Sequence, residues 1–290
     1  MEEKTFLGGD FRPYNECQMV VFPCPYEKTT SYMKGTVKGP DAIIEASEQV
    51  EYFDSETGLD VSERGVYLFP PFQYEGVDYS ALLNHTYEKM LGAFRDKKFV
   101  LMLGGEHTIS ISPIRAAAEA YGKDNVSILH LDAHSDMRSS YGGTPHSHAC
   151  IMRRAHEVIE KSYSVGIRAQ CEEEREYINA NKKRFGVQYD HERAQSGLNP
   201  DEALKYLDTE YVYVTIDLDY FNPSEMPSVG TPVPGGGTWH ETLRFLRAIF
   251  EKKKVIGADI VELKPDHNTR SDYYAAQLAY KLMTYRFING

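Results

Sequence analysis

Short apolar runs alternate with longer amphipathic segments along most of the chain. Strands covered on both faces of a sheet are apolar nearly throughout, and six such runs occur, at 18–22, 99–103, 126–131, 163–167, 211–216 and 255–263. Five segments have helical periodicity, at 39–53, 80–97, 110–122, 238–253 and 271–288. Pro40 lies just inside the first helix, and Thr238 and Ser271 are predicted to cap the last two.

This alternation predicts an α/β fold. Strands that alternate with helices form a doubly wound, mainly parallel sheet with helices on both faces. The sequence has no linker, internal repeat or low-complexity tract. We therefore expect one domain that spans residues 1–290.

Composition narrows the class of protein. The net charge is −11, which argues against a nucleic-acid surface and is compatible with a small cationic substrate. No run approaches the ~20 apolar residues that cross a bilayer, and the first ten residues lack an apolar signal-peptide core. The four cysteines form no CxxC pair, as in proteins of a reducing compartment. These features predict a cytoplasmic protein without a membrane or nucleic-acid partner.

Metal-binding residue types follow three of the predicted strands. They are His107 after 99–103; Asp132, His134 and Asp136 after 126–131; and Asp217 and Asp219 after 211–216. The carboxyl ends of parallel strands meet at one edge of a sheet, where ligands bind. We expect these six side chains to converge there.

A cluster of four carboxylates needs positive charge, because bare carboxylates repel one another and raise one another's pKa. Two divalent ions that share bridging carboxylates account for six ligands. Imidazole and carboxylate ligands without thiolate favour a hard ion such as Mn²⁺ over a structural zinc. The sequence therefore predicts two Mn²⁺ ions per chain.

Three motifs resemble the signatures of the ureohydrolases, the arginase and agmatinase family. They are GGEHTIS at 104–110, DAHSD at 132–136, and VTIDLDYFNP at 214–223 followed by GTPVPGG at 230–236. The similarity extends from about residue 22 to 283. It implies an arginase/deacetylase-like three-layer fold, a binuclear manganese centre, and a homotrimer or homohexamer.

The resemblance also implies how the six ligands divide. In the family pattern, one ion takes the residues matching His107 and Asp136. The other takes those matching His134 and Asp219. The residues matching Asp132 and Asp217 bridge the two ions.

Four residues would carry the chemistry on the same resemblance. A guanidinium carbon is a poor electrophile, and a water shared by two divalent ions loses a proton near neutral pH. Asp136 would carry that proton to the leaving nitrogen. His148 would contact substrate and shuttle protons to solvent, Glu262 would pair with the guanidinium, and Thr231 would help to orient it.

The loop after Asp136 bears on the substrate. Arginases carry an Asn-Thr-Pro stretch there that holds the α-carboxylate of arginine, whereas this chain has Met137, Arg138 and Ser139. We therefore expect hydrolysis of agmatine, or of N1-aminopropylagmatine, to urea and putrescine or spermidine.

Two alternatives stay open. A sister amidinohydrolase would act on guanidinobutyrate, formiminoglutamate or arginine, which Lys264 would favour if it faced the pocket. A non-catalytic oligomeric scaffold is the other alternative, but such a protein should have lost metal ligands. Asn222 replaces the aspartate usual in the third motif, and there we expect altered hydrogen bonding without loss of the centre.

Overall fold

A computed structural model of the chain describes residues 4–70, 72 and 78–290. Ten strands occur in this part of the chain, and β1 to β10 are, in order, Met19–Cys24, Phe53–Asp54, Leu59–Asp60, Val66–Leu68, Phe99–Gly104, Val126–Leu131, Lys161–Ile167, Phe185–Tyr189, Tyr211–Asp217 and Lys254–Val261. The helices α1 to α9 of the same residues are, in order, Gly39–Ser47, Tyr79–Arg95, Ile111–Tyr121, Ile151–Ala155, Glu172–Ala180, Asp190–Ser196, Pro200–Tyr206, Trp239–Lys252 and Arg270–Arg286.

Eight of the strands form one sheet in the order β4-β1-β5-β10-β9-β6-β7-β8. Every neighbouring pair in it is parallel. The strands β2 and β3 form a separate antiparallel pair. The predicted parallel sheet is confirmed.

Helices cover both faces of the sheet. Successive side chains of a strand point to opposite faces, so Met19 and Val21 of β1 join one apolar core while Val20 and Phe22 join the other. The first core includes apolar side chains of α1, α7, α8 and α9, and the second those of α2, α3, α4 and α5. The molecule therefore has the predicted three layers.

All six predicted strands and all five predicted helices are present, with most ends shifted by one or two residues. The first helix is the exception, because it ends at Ser47 rather than at residue 53. The chain turns after Ser47, and Phe53 then opens β2 with 64% of its surface exposed.

The prediction that Ser271 caps the last helix was wrong. The helix begins at Arg270, so Ser271 lies inside the first turn and is buried. The side chain of Asn268 accepts the backbone N–H of Arg270 at 3.1 Å, so a different polar residue serves this end. Thr238 does precede α8, although its side chain makes no capping hydrogen bond.

Several short elements were not predicted, namely β2 to β4, β8 and α4 to α7. The sequence of α5, EEEREYINA, is strongly charged and buries only Glu174 and Ile178. Its first turn is fixed by Glu174, whose carboxylate accepts the backbone N–H of Cys171 at 2.7 Å. Hydrophobic periodicity cannot identify a helix whose start depends on one buried carboxylate.

Within the described residues, no helix has the length and apolar character needed to cross a bilayer.

Candidate metal centre and active site

Four adjacent strands deliver polar side chains to one edge of the sheet. In sheet order these strands are β5, β10, β9 and β6. At or beyond their carboxyl ends lie, respectively, His107, Glu262, the pair Asp217 and Asp219, and the group Asp132, His134 and Asp136. Sheet order thus inserts β10, and Glu262 with it, between strands that carry the predicted metal ligands.

The first histidine has three carboxylates around it. The Nδ1 atom of His107 lies 3.2 Å from Asp132 Oδ2, 3.2 Å from Asp136 Oδ2 and 3.6 Å from Asp217 Oδ2. All four residues are at most 4% exposed. This group contains both predicted ligands of one ion and both predicted bridging residues.

The second histidine lies in a smaller group. His134 Nδ1 lies 2.9 Å from Asp219 Oδ2 and 3.6 Å from Asp132 Oδ1. Asp132 therefore presents Oδ2 to the His107 group and Oδ1 to the His134 group. This is the arrangement expected of a bridging carboxylate.

The chemistry of His107 fits a cation at this position. Tyr213 and Thr215 donate their hydroxyls to Asp259, at 2.9 Å and 2.7 Å. Because the hydroxyl proton of Thr215 goes to Asp259, its oxygen can only accept a hydrogen bond from His107 Nε2–H, at 2.8 Å. The Nδ1 atom of His107 then carries a lone pair, which faces the carboxylates. Among the described residues this buried Nδ1 has no hydrogen-bond partner. A lone pair among anionic oxygens is stable only with a cation between them, so the residues fit a metal ion.

The pKa values of the acids report the same crowding. Burial and the charge of Asp132 raise the pKa of Asp136 to about 7. Burial and the charges of Asp219 and Asp132 raise the pKa of Asp217 well above its usual range.

His130 belongs to this site, and sequence reasoning did not single it out. It lies inside β6, where Nε2 is 2.9 Å from Asp132 Oδ2 and Nδ1 is 3.0 Å from Ser164 Oγ. Burial lowers its pKa, so it is a neutral imidazole that orients Asp132. The signal was available, because His130 precedes Asp132 and His134 at the same alternate spacing.

A cavity of about 370 Å³ opens over the cluster. The predicted site residues on its wall are His134, Asp136, His148, Asp217, Asp219, Thr231 and Glu262. His146 instead packs its ring against Tyr79, with centroids 5.1 Å apart. Of these two neighbouring histidines, His148 is therefore the one at the cavity.

Glu262 is held at the cavity floor. Its Oε1 accepts the backbone N–H of His107 at 2.8 Å, and its own N–H donates to the carbonyl of Gly105 at 2.8 Å. Gly105 must be a glycine, since a Cβ there would lie 2.0 Å from the carbonyl oxygen of Tyr26. The GGEH turn, the loop at Tyr26 and Glu262 thus form one packed unit.

Three loop residues have positions that bear on the third motif and on the substrate. Asn222 Oδ1 accepts the backbone N–H of Ser224 at 2.9 Å, a turn contact that an aspartate would also make. Lys264 does not line the cavity, and its stem instead packs near Gly35. Arg138 does line it, with its guanidinium over the ring of Tyr141 and its Nε 3.8 Å from Glu174 Oε2.

The chain matches the model of the arginase family over residues 17–285. It is 38% identical to the N(1)-aminopropylagmatine ureohydrolase of Synechocystis sp., covering 97% of this chain and 94% of that protein. It is 33% identical to the agmatinase of Bacillus anthracis, covering 93% and 92% of the two chains.

Solved structures share the fold. The agmatine ureohydrolase of Thermoplasma volcanium superimposes with a TM-score of 0.87 at 28% identity, over 99% of this chain and 96% of that chain. The proclavaminate amidinohydrolase of Streptomyces clavuligerus gives a TM-score of 0.84 at 26% identity, over 99% and 98%. With a family match over nearly the whole length and this edge-of-sheet cluster in place, the chain belongs to the arginase family.

Proposed function

We propose that this protein is a metal-dependent amidinohydrolase that splits a guanidino C–N bond and releases urea. The observation that carries the proposal is Asp132, whose two oxygens face two separate His–Asp groups at the floor of a cavity. Relatives named ureohydrolase and agmatinase support the same reaction class.

Two Mn²⁺ ions per chain are the proposed cofactor. His107 and Asp136 would hold one, His134 and Asp219 the other, with Asp132 and Asp217 shared. Nitrogen and carboxylate oxygen donors without thiolate suit this ion. When bound, such a pair supplies a hydroxide nucleophile at neutral pH and neutralises the acids that hold it.

Asp136 is the proposed proton carrier. The leaving nitrogen must be protonated, because an amide anion cannot depart. A carboxylate at this position can accept a proton and release it to that nitrogen. Its carboxylate lies on the cavity wall beside His107 Nδ1.

Glu262, His148 and Thr231 are the proposed substrate contacts. Glu262 Oε1 is taken by the backbone of His107, which leaves Oε2 to pair with a guanidinium N–H. His148 would exchange protons between cavity and solvent. Thr231 donates to Asp219 Oδ2 at 3.1 Å and would orient substrate next to that ligand.

The proposed substrate is agmatine or N(1)-aminopropylagmatine, with putrescine or spermidine as the amine product. The names of the relatives support it. Arg138 favours the alternative, a guanidino acid, because it brings a guanidinium to the cavity wall. Its partner Glu174 and the ring of Tyr141 already engage that cation, so the amine substrates are the better match.

We also propose one domain over residues 1–290, a homotrimer or homohexamer, and a cytoplasmic location. The large sheet draws strands from Met19 to Val261, which supports one domain. All four cysteines are thiols, as expected in a reducing compartment.

Product release from a substrate panel tests the function, measured as urea from the guanidino compounds and as formamide from formiminoglutamate, whose formimino carbon bears a hydrogen in place of the third nitrogen. After manganese loading, agmatine or N(1)-aminopropylagmatine should be hydrolysed. Arginine should be poorer in kcat/KM by about two to four orders of magnitude, since its α-carboxylate would be buried without a free donor. Guanidinobutyrate or formiminoglutamate as the best substrate would identify Arg138 as the determinant and reject the agmatinase assignment. No release from any member would favour the non-catalytic scaffold.

A further inference from the structure

Glu106, the residue before His107, is fully buried and uses both carboxylate oxygens. Its Oε2 accepts the backbone N–H groups of Lys28 and Thr29, each at 2.6 Å. Its Oε1 accepts the hydroxyls of Thr29 at 2.7 Å and Thr108 at 2.6 Å. Four short hydrogen bonds are thus donated to its two oxygens, as suits an ionised carboxylate, which can only accept.

The hydroxyl of Thr29 connects this carboxylate to His148. A hydroxyl has one proton and two lone pairs, and the proton of Thr29 goes to Glu106. One lone pair accepts the backbone N–H of His148 at 3.1 Å, and the other faces His148 Nδ1 at 3.1 Å. The contact with Thr29 can be a hydrogen bond only if Nδ1 carries the imidazole proton. The hydroxyl of Ser147 lies farther from the same atom, at 3.4 Å, and can accept that proton as well.

We propose that Thr29 and Glu106 are positioning residues that hold His148 as its Nδ1–H tautomer and leave Nε2 as the proton acceptor in the cavity. The inference rests on the proposed function of His148. Among the described residues, Nε2 has no hydrogen-bond partner, as expected of an atom kept for substrate or solvent. In the Nε2–H tautomer the same ring could not accept a proton from the cavity.

The arrangement resembles the logic of a carboxylate that orients a catalytic imidazole, with one hydroxyl inserted between them. A proton that arrives at Nε2 forms an imidazolium whose Nδ1–H still donates to Thr29. The positive charge then lies two hydrogen bonds from Glu106. The ring can therefore gain and lose a proton at Nε2 without moving.

The same carboxylate fixes the adjoining cavity wall. The amides of Lys28 and Thr29 begin the segment that continues into Thr30 to Met33, which line the cavity. The carboxylate of Glu106 therefore holds both the imidazole of His148 and this segment of the cavity wall in place. The geometry of His148 relative to substrate is thereby set by residues that line neither metal group.

The tautomer can be measured directly. The protein is labelled with ¹⁵N-histidine and supplied with diamagnetic Mg²⁺, and two-bond ¹H–¹⁵N correlations are recorded at a pH where His148 is neutral. The signal of His148 is assigned by its loss in His148→Phe. An Nδ1–H pattern is expected in the unmodified protein, and an Nε2–H pattern would overturn the inference.

Variants then test the cause. Thr29→Val removes the hydroxyl at nearly constant volume, and it should populate the Nε2–H form. It should also lower kcat by about 10- to 100-fold, part of the ~10²–10⁴ typical of general acid–base catalysis, without loss of bound metal. Thr29→Ser should restore both the tautomer and most of kcat. Thr108→Val is the matched control, because it removes a donor from the same carboxylate without touching His148, and it should keep the Nδ1–H form.

A double-mutant cycle separates positioning from general support of the fold. In the His148→Phe background, Thr29→Val should cause no further loss of kcat, because both changes remove one function. Multiplied losses, or a tautomer unchanged by Thr29→Val, would show that Thr29 does not act through His148. The spectrum needs no substrate, so it decides this inference even if the panel finds no hydrolysis.

Discussion

At the scale of single residues, Asp136 and Glu262 have backbone conformations that normally favour glycine. Their φ values are +51° and +66°, a region that costs a residue with a Cβ about 1–2 kcal/mol. Glu262 directly follows β10, Asp136 lies in the loop after β6, and both line the cavity. Packing of the sheet edge offsets this local cost, as is common at functional sites.

Asp217 and Asn222, an acid and an amide of the third motif, should differ sharply in their importance for activity. Asp217→Asn removes charge from the centre of the cluster and should lower kcat by at least about 100-fold, together with metal content. Asn222→Ala removes only the turn contact to Ser224 and should cost about 1 kcal/mol of stability with little loss of activity. Equal residual activity in the two variants, measured by urea release, would contradict the bridging role of Asp217.

Replacement of His148 by Phe should lower kcat by about 10²-fold or more while metal content stays intact. The reason is that His148 lies on the cavity wall, hydrogen-bonded to Thr29 rather than to the acidic cluster. Urea release and elemental analysis of the same sample provide the measurement. His146→Phe is the matched control and should retain activity. Loss of metal from the His148 variant would show that it supports the metal site.

At the scale of elements, one lysine joins the β2–β3 pair to the last helix. Lys281 of α9 lies 2.5 Å from Asp54 Oδ2 and 2.8 Å from Glu56 Oε2. Glu56 also accepts the hydroxyl of Tyr285 at 2.7 Å. Because β2 and β3 have only two residues each, these side-chain contacts do much to hold the pair in place.

Lys281→Met should lower the free energy of unfolding by about 1–3 kcal/mol, because it leaves the buried Asp54 without its cation. Burial raises the pKa of Asp54 and of Glu56, but hydrogen bonds from Lys281 outweigh it and lower both values. The contribution is therefore complete above the unfolded-state pKa values near 4 and is lost as the pH falls through the lower folded-state values.

Urea denaturation at pH 7 and at pH 3 to 4 measures both effects. The difference in stability between Lys281→Met and the unmodified protein should be large at pH 7 and should shrink in acid. Lys254→Met, which breaks an exposed pair with Glu210, is the control and should change the free energy of unfolding little, because water screens such a pair. A difference that does not depend on pH would show that Lys281 acts through packing alone.

At the scale of the whole molecule, acidic charge is concentrated at one edge of the sheet. Asp132, Asp136, Asp217 and Asp219 are almost fully buried there. Folding must bring these carboxylates together against their repulsion. Binding of cations should therefore stabilise the native state as a whole.

After manganese loading and desalting, elemental analysis should find close to two equivalents of metal per chain. A site filled at 100 times its dissociation constant adds about 2.7 kcal/mol of stability, so the melting temperature should fall when a chelator removes the ions. The double variant Asp132→Asn/Asp219→Asn should no longer respond to manganese or chelator. A stoichiometry of zero would contradict the metal centre.

The sequence by itself determined the architecture and the set of candidate ligands. Long apolar runs specify buried parallel strands, because only a sheet covered on both faces buries such runs completely. Six polar residues that follow three of these runs must meet at one edge, because parallel strands end together. The assignment of His107, Asp132, His134, Asp136, Asp217 and Asp219 as metal ligands, and of Asp136, His148, Thr231 and Glu262 as functional residues, remains a prediction that the geometry supports.

Tertiary structure alone decided the partners of those residues. Sheet order places β10 between β5 and β9, and so brings Glu262 next to His107 across 155 positions of sequence. Thr215 and Asp259 decide which ring nitrogen of His107 carries the proton. Thr29 and Glu106 do the same for His148. Short polar elements such as α5 were likewise invisible to hydrophobic periodicity, since buried carboxylates rather than apolar stripes hold them. Hydrogen bonds between residues distant in sequence have no periodic signature, and only the folded chain reveals which donors meet which acceptors.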